Sequence, residues 1–463
     1  MGHIFTAGTL LLAGCAHYPP NARLTHYDPE GGYRVNTLTN AENSGSLQVI
    51  LIFSGGGMRA AALSYGVLEE LARADIVWEG QHRRLLDEVD MISSVSGGSF
   101  TAAYYAIYHD GIFRDYEQKF LKQNIQGKLY WRLCSPLNWF RLASPYFARS
   151  DLAAEFYDRY CFGGKSFGDL TSANRPPYLI LNATDMSSGA RFEFTQDQFD
   201  LICSDISSVP VARGVAASSA FPVLLSPITV NNYAGSCGYV EPAWVETALT
   251  NRQELPRRIV KAKQLRAYQD STHRPYLHLL DGGLSDNLGL RGLLENTIAL
   301  GGARSAMRHY NLEKPRKVVV IVVNAASQGD RGWDKHKQSP NVVQVVIALG
   351  SVPLNRYSFE TMQFFRESLK QWERELNSPG FPGDQATTAY PVQFYSIEVS
   401  FEALTDPAES NYFDKLPSAL NLPAGAVERL RDVAGRLLRE SVNYRALLRD
   451  LGGEANLKDT KTR

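Results

Sequence analysis

No apolar run in this chain of 463 residues reaches the roughly 18 that a helix needs to cross a bilayer, which excludes a body threaded through a membrane by helices. An excess of one charge is missing too. Lys+Arg 48 offsets Asp+Glu 48, so no global field draws nucleic acid or an anionic membrane. No basic run with interleaved aromatics points to a nucleic-acid partner either. Cysteine is scarce, five in all, and none stands in the close Cys or His pairs of a zinc site, so no metal is expected. What remains is the composition of a packed globule, 44% hydrophobic and 21% charged, long enough for one large α/β domain or two ordinary ones.

The amino terminus stands apart. Ile4–Leu12 is mostly apolar and ends in Leu12-Ala13-Gly14-Cys15, which resembles the lipobox of a bacterial lipoprotein signal. The usual positive charges before the apolar run are absent, since only the α-amino group and His3 precede it. The resemblance implies that residues 1–14 are a signal peptide and that Cys15 is the lipidation site. It also implies a membrane-anchored lipoprotein facing the periplasm. Residues 15–46, with Pro19-Pro20 and several Asn, Ser and Gly, read as a tether. If Cys15 carries lipid, Cys134, Cys161, Cys203 and Cys237 remain. They permit up to two disulfides in three full pairings, or four buried thiols.

Leu47–Phe53 (LQVILIF) is a continuous apolar run, as in a strand buried on both faces. It leads into Gly55-Gly56-Gly57 and then into helical periodicity from Met58 to Ala72. Val89–Val95 repeats the pattern, with a tight turn at Ser96 and a helix from about Phe100. Tyr178–Asn182, Leu277–Leu280 and Val318–Val323 read as further buried strands. Alternation with helical stretches, without hairpin signals, predicts a three-layer α/β/α fold with a mostly parallel central sheet across residues 47–325. Residues 112–165 break the rhythm with aromatics and prolines and are expected to form a helical, lid-like insertion. Residues 326–455 are expected to add an α/β extension packed on the same domain, with helices near 355–376 and 424–440 and a strand near 393–399.

Three strand ends carry residues suited to chemistry. Ser96 lies in Ser94-Val95-Ser96-Gly97-Gly98, where a sharp strand-to-helix turn would lift its hydroxyl above the sheet. Such an elbow needs small neighbours, and Ser94, Gly97 and Gly98 are small. The following helix turns its amide end toward any developing alkoxide. Taken alone, such a stretch is more often an ordinary loop than an active site. Gly55-Gly56-Gly57 would bare backbone amides to an oxyanion, with Arg59 adding charge or orienting the loop. The same stretch partly fits a dinucleotide fingerprint, but Ala74–Trp78 makes a poor second strand to carry the acidic residue Asp75. Asp281, in Asp281-Gly282-Gly283, ends the fourth apolar strand, on the edge where open α/β sheets bind ligands. Asp286 competes for the same role from farther along the chain.

In combination and in this order, the three motifs resemble the patatin-like phospholipase family. Asn182-Ala183-Thr184-Asp185 with Gly189 and Phe194, Ala216–Pro222 with Pro227, and Asn287 resemble further blocks of that family, so the resemblance spans roughly residues 47–325. Ser94 and Ala60 depart from it, each replacing a glycine. The resemblance implies a serine lipid acyl hydrolase. Ser96 would be its nucleophile and Asp281 its base, with Gly55, Gly56, Gly57 and Arg59 forming the oxyanion hole. It also implies a phospholipid or other fatty-acyl ester as substrate and no cofactor. A triad would instead draw on His273, His278, His309 or His336. An acyltransferase would use the same dyad, and a non-catalytic lipid-binding lipoprotein would keep only the fold. Trp131, Trp139, Phe140 and Tyr146, interspersed with Arg132, Arg141 and Arg149, suit either a lipid interface or the packing of a helical subdomain.

Overall fold

Eight strands build the central sheet of the computed structural model, which describes residues 16–37, 43–222, 224–251, 253–310, 315–327, 337–378 and 391–453. They are β1 (Leu47–Phe53), β2 (Val89–Val95), β3 (Tyr178–Asp185), β4 (Arg191–Glu193), β5 (Ile228–Asn231), β6 (Tyr276–Asp281), β7 (Lys317–Asn324) and β8 (Gln393–Ser400). Their order is β8-β7-β1-β2-β3-β6-β5, with β4 paired to β3. β7 is buried at every residue because its two faces meet two cores. Val319, Ile321 and Val323 pack into one core, and Val318, Val320 and Val322 into the other. That is the three-layer arrangement which continuous apolar runs require.

The chain from β8 to β3 is parallel throughout, but the sheet is mixed. β6 runs antiparallel to both β3 and β5, and β4 antiparallel to β3. This corrects the simple placement of Asp281 at the carboxyl edge of a parallel sheet. β6 begins beyond the end of β3 and runs back toward it, so Asp281 pairs with Ala183. Ala183 follows Asn182, the partner of Val95 at the end of β2. Register, not strand direction, brings Asp281 level with Ser96. A two-stranded hairpin, Asp75–Trp78 with Gln81–Arg84, was also missed, because its polar second strand has no apolar alternation.

The helices that matter for the site are α1 (Gly57–Arg73), α2 (Gly97–Tyr108), α3 (Ile125–Leu133), α4 (Pro136–Leu142), α5 (Arg149–Tyr157), α6 (Val211–Ser218), α7 (Val342–Asn377) and α8 (Ala424–Glu440). α3 to α5 belong to the insertion. The carboxyl-terminal region is built into the main fold: β8 extends the central sheet, and α8 crosses α1 where a Cβ on Gly66 would sit 2.6 Å from the Arg431 carbonyl. Only glycine permits that approach.

The stretch read as a tether is packed from residue 16 to residue 37. Ala22–Arg23 pairs with Ser204–Asp205, and Asn21 donates to Ser204 Oγ at 2.7 Å. The buried Tyr33 hydroxyl receives the Leu179 amide at 2.8 Å, and Arg34 pairs with Asp200 at 2.5 Å. Composition missed this because polar residues satisfied by specific partners look no different from solvated ones. Cys203 and Cys237 form a disulfide, while Cys134 is an exposed thiol and Cys161 a buried one. Cys15, residues 1–14, which were expected to be a signal peptide, and His336 lie outside the described residues. Among the described residues, no helix is long and apolar enough to cross a membrane.

Candidate active site

Ser96 sits between β2 and α2 with φ 50° and ψ −117°, a conformation that L side chains rarely adopt. The turn is so tight that a Cβ on Gly97 would run into the Gly57 carbonyl, and one on Gly98 would lie 2.7 Å from the Ser54 carbonyl. Two of the small residues flanking Ser96 are therefore dictated by the neighbouring loop. At position 94, where the family pattern has glycine, serine fits because its buried hydroxyl is bonded. It donates to the Ile180 carbonyl and accepts from Ser99 Oγ at 3.2 Å.

The half-buried Ser96 hydroxyl donates to Asp281 Oδ2 at 2.9 Å. The other carboxylate oxygen accepts the Gly283 amide at 2.8 Å, which fixes the carboxylate plane. Asp281 is 5% exposed, and burial pushes its pKa up from the ordinary 3.8 to about 6 against the lowering effect of those two hydrogen bonds. The result is a carboxylate still ionised at neutral pH but more basic than a solvated one. Asp286, by contrast, is turned to the start of the next helix and accepts the Arg291 amide at 2.7 Å. His273 bonds Asp270, His278 bonds Thr229 and His309 packs on Tyr310, so none of these three partners Ser96.

The glycine loop packs directly on this elbow. Gly56 and Gly57 have φ 140° and 60°, and among the described residues their amides meet no hydrogen-bond acceptor. The Gly55 amide differs from the expectation, since it donates to the Asn287 carbonyl at 2.9 Å and is not free for an oxyanion. Arg59 is also used otherwise. Its 2% exposed guanidinium donates to the Ala325 carbonyl at 2.8 Å, to Ser418 Oγ at 3.1 Å and to the Leu416 carbonyl. It clamps the loop; burial lowers its pKa to about 10, which leaves it cationic at neutral pH.

Two contributors escaped the sequence reading. Ser218 Oγ, at the end of α6, accepts the Ser96 amide at 2.9 Å, and the Ser218 carbonyl accepts the Gly282 amide at 3.1 Å. One residue thus ties the nucleophile's backbone to the loop that carries the carboxylate. Ser99 donates to Ser94 and Ser94 to Ile180, so Ser218 is left as donor to Ser99 at 2.9 Å, and the hydroxyls form one directed chain. Its motif, Ala216–Pro222, was visible as a family block; its role was not. The second contributor is residues 416–420, between two carboxyl-terminal helices. The Ala419 carbonyl accepts the Met58 amide at 2.8 Å beside the glycine loop. Nothing in that stretch signals this.

The remaining family blocks hold the strands together. Asn182 donates to Ser93 Oγ at 2.9 Å and the Ser94 carbonyl at 3.0 Å, bracing β3 against β2. Thr184 Oγ1 donates to the Asp281 carbonyl at 2.8 Å. Asp185 is fully buried and bonded to Ser188 and Arg274.

The Ser96–Asp281 pair thus lies beside a glycine loop in a three-layer α/β/α fold. The family described as Patatin-like phospholipase matches residues 51–294, more than half of the chain, and the chain belongs to that family. Among solved structures, human GIVD cytosolic phospholipase A2 is similar at 12% identity and TM-score 0.47, over 90% of this chain and 64% of that one. The same human enzyme in complex with methyl gamma-linolenyl fluorophosphonate gives 12% and 0.40, over 88% and 59%. VipD from Legionella pneumophila gives 10% and 0.26, over 92% and 74%. The chain thus spans less than two thirds of the length of the human enzyme. No curated protein matches.

Proposed function

We propose that this protein is a serine lipid acyl hydrolase, cleaving a fatty-acyl ester of a phospholipid or related lipid through a Ser96–Asp281 dyad. The observation that carries the reading is the 2.9 Å hydrogen bond from the Ser96 hydroxyl to a buried carboxylate. In this mechanism Asp281 takes the Ser96 proton as Oγ attacks the ester carbonyl. The Gly56 and Gly57 amides receive the negative charge of the tetrahedral intermediate, aided by the amide end of α2. Each such donor lowers the barrier by about 3 kcal/mol. Collapse expels the alcohol, which leaves with the proton from Asp281. Water then attacks the acyl-enzyme with Asp281 as base again, releasing the fatty acid. No step calls on a metal or cofactor.

Lipidation at Cys15 and a periplasmic location belong to the same proposal. The Cys203–Cys237 disulfide supports an oxidising compartment. A labelled fluorophosphonate tests the nucleophile: wild type should label and Ser96→Ala should not. Hydrolysis of a mixed phospholipid panel by wild type and Asp281→Asn, with products weighed, then separates hydrolysis from acyl transfer. Labelling that survives Ser96→Ala, or an unlabelled wild type, defeats the reading.

A further inference from the structure

The insertion stands on two roots, and both lie beside the dyad. At one, Gln126 and Leu420 exchange hydrogen bonds at 3.1 and 3.3 Å, one residue from Ala419, which receives the Met58 amide. At the other, the Ser150 amide and hydroxyl bond Ser226 at 3.0 and 2.5 Å, on the segment leaving Ala220, whose carbonyl accepts the Asp281 amide at 3.0 Å. Between these roots the α3–α4 hairpin bears large apolar side chains outward. Trp131 and Leu137 are 78% exposed and Trp139 58%, with Tyr130, Phe140 and Tyr146 also exposed. The Trp139 indole N–H is bonded to the Leu133 carbonyl at 2.9 Å, so what it offers outward is ring.

The even charge count of the whole chain hides a local bias. From Gln118 to Ser150 there are six Lys and Arg and no Asp or Glu, and of the six Lys119, Lys122 and Arg141 pair with Asp115, Glu117 and Glu155 outside that stretch. Lys128 and Arg132 rest over the rings of Tyr160 and Phe156, cationic heads among aromatic bodies. The described chain also enters at this face: Ser144 Oγ bonds the Ala16 carbonyl at 2.5 Å, His17 stacks on Tyr146, and the Tyr18 amide bonds the Tyr146 carbonyl at 2.7 Å. The fifteen residues before Ala16 therefore leave from beside the aromatic hairpin.

We infer that this hairpin docks on the surface of a phospholipid bilayer containing anionic lipid, with the dyad's mouth turned to the same surface. Exposed Trp, Tyr and Leu beside Lys128 and Arg132, on a hairpin that carries no carboxylate of its own, match the amphipathic headgroup region. The inference rests on the proposed hydrolase for its purpose but not for its binding.

The test uses the full chain carrying Cys15→Ser, so that no acyl anchor contributes, and Ser96→Ala, so that vesicles stay intact. Co-sedimentation with phosphatidylcholine vesicles holding about a third phosphatidylglycerol is compared with and without Trp131→Ser and Trp139→Ser. The double substitution should weaken partitioning about 10-fold or more, with unchanged thermal unfolding. With Ser96 restored, vesicle hydrolysis should fall in parallel, while p-nitrophenyl butyrate hydrolysis stays within about twofold. Equal partitioning of the two proteins overturns the inference. So does a dimer, seen by sedimentation without vesicles, that the substitutions dissolve, because the face would then be a self-interface. Vesicle binding that depends on both tryptophans, in a protein whose Ser96 form hydrolyses no lipid, keeps the docking surface and removes the hydrolase.

Discussion

The dyad and the aromatic hairpin are neighbours held in opposite ways. Ser96 is over-determined: its backbone is strained, its amide is bonded to Ser218, its hydroxyl to Asp281, and a glycine is forced on the next position by the Gly57 carbonyl. The hairpin is fixed at its roots and nearly bare between them. Bond-making chemistry needs reacting atoms held in register, and strain there persists only because many contacts enforce it. A surface that meets lipid needs exposed area instead. Substitutions should therefore separate the two regions, with the first failing in kcat and the second in access to aggregated substrate.

The hardest break is Ser96→Ala, expected to lower kcat by about 10⁴-fold or more without loss of folding, checked by short-chain ester turnover and circular dichroism. Asp281→Asn should cost about 10³-fold or more in kcat and yet stabilise the protein. The sign follows from linkage. Folding raises the Asp281 pKa from 3.8 to about 6, so the native state holds this proton more tightly than the unfolded chain. The contribution of this group is most favourable below pH 3.8 and declines as pH rises to about 6. Above that, the ionised group costs on the order of 2–3 kcal/mol, which asparagine removes. Calorimetry should show Asp281→Asn melting a few degrees higher at pH 7–8, with the gain gone near pH 4. No gain at pH 7–8 would mean that the carboxylate is not penalised by burial.

In wild type, kcat/KM should fall about tenfold per pH unit below pH 6 as Asp281 is protonated, and lie flat above it. A profile controlled near pH 4 would remove the buried-base account. Ser218→Ala should have a smaller effect, about 10-fold in kcat with KM little changed, because the Ser96 amide loses its acceptor while the substrate surface stays intact. Rescue by Ser218→Thr, which restores the hydroxyl, separates positioning from packing. Smallest of all, Trp139→Ala should leave soluble-ester hydrolysis within about twofold, and it sharpens the contrast because its ring touches no reacting group.

The local demands of the site were written in the residues themselves. A strand that ends in a turn with φ 50° must be followed by small residues, and a loop that bares its amides must be glycine-rich. Gly55–Gly57, Ser94–Gly98 and Asp281–Gly283 are therefore legible without any structure in combination, though not singly. Continuous apolar runs likewise fix which strands are covered on both faces. None of this encodes which amide is already taken, as at Gly55, or where a guanidinium finds its carbonyls, as at Arg59.

Pairing direction is just as silent. Leu277–Leu280 reads as a buried strand like the parallel ones, yet β6 is covered on one face only, with Tyr276 and His278 exposed, and it is its register with β3 that brings Asp281 level with Ser96. Nor can composition distinguish a polar segment in solvent from residues 16–37, whose polar groups are met one by one across the fold. The sequence by itself determined most of the central strands, the glycine turns and Ser96 and Asp281 as the candidates for chemistry, because each is a demand made within a few residues. Only the tertiary structure decided the antiparallel register, the Ser218 tie and the seating of residues 416–420 against the glycine loop, because each is a bond between groups far apart along the chain.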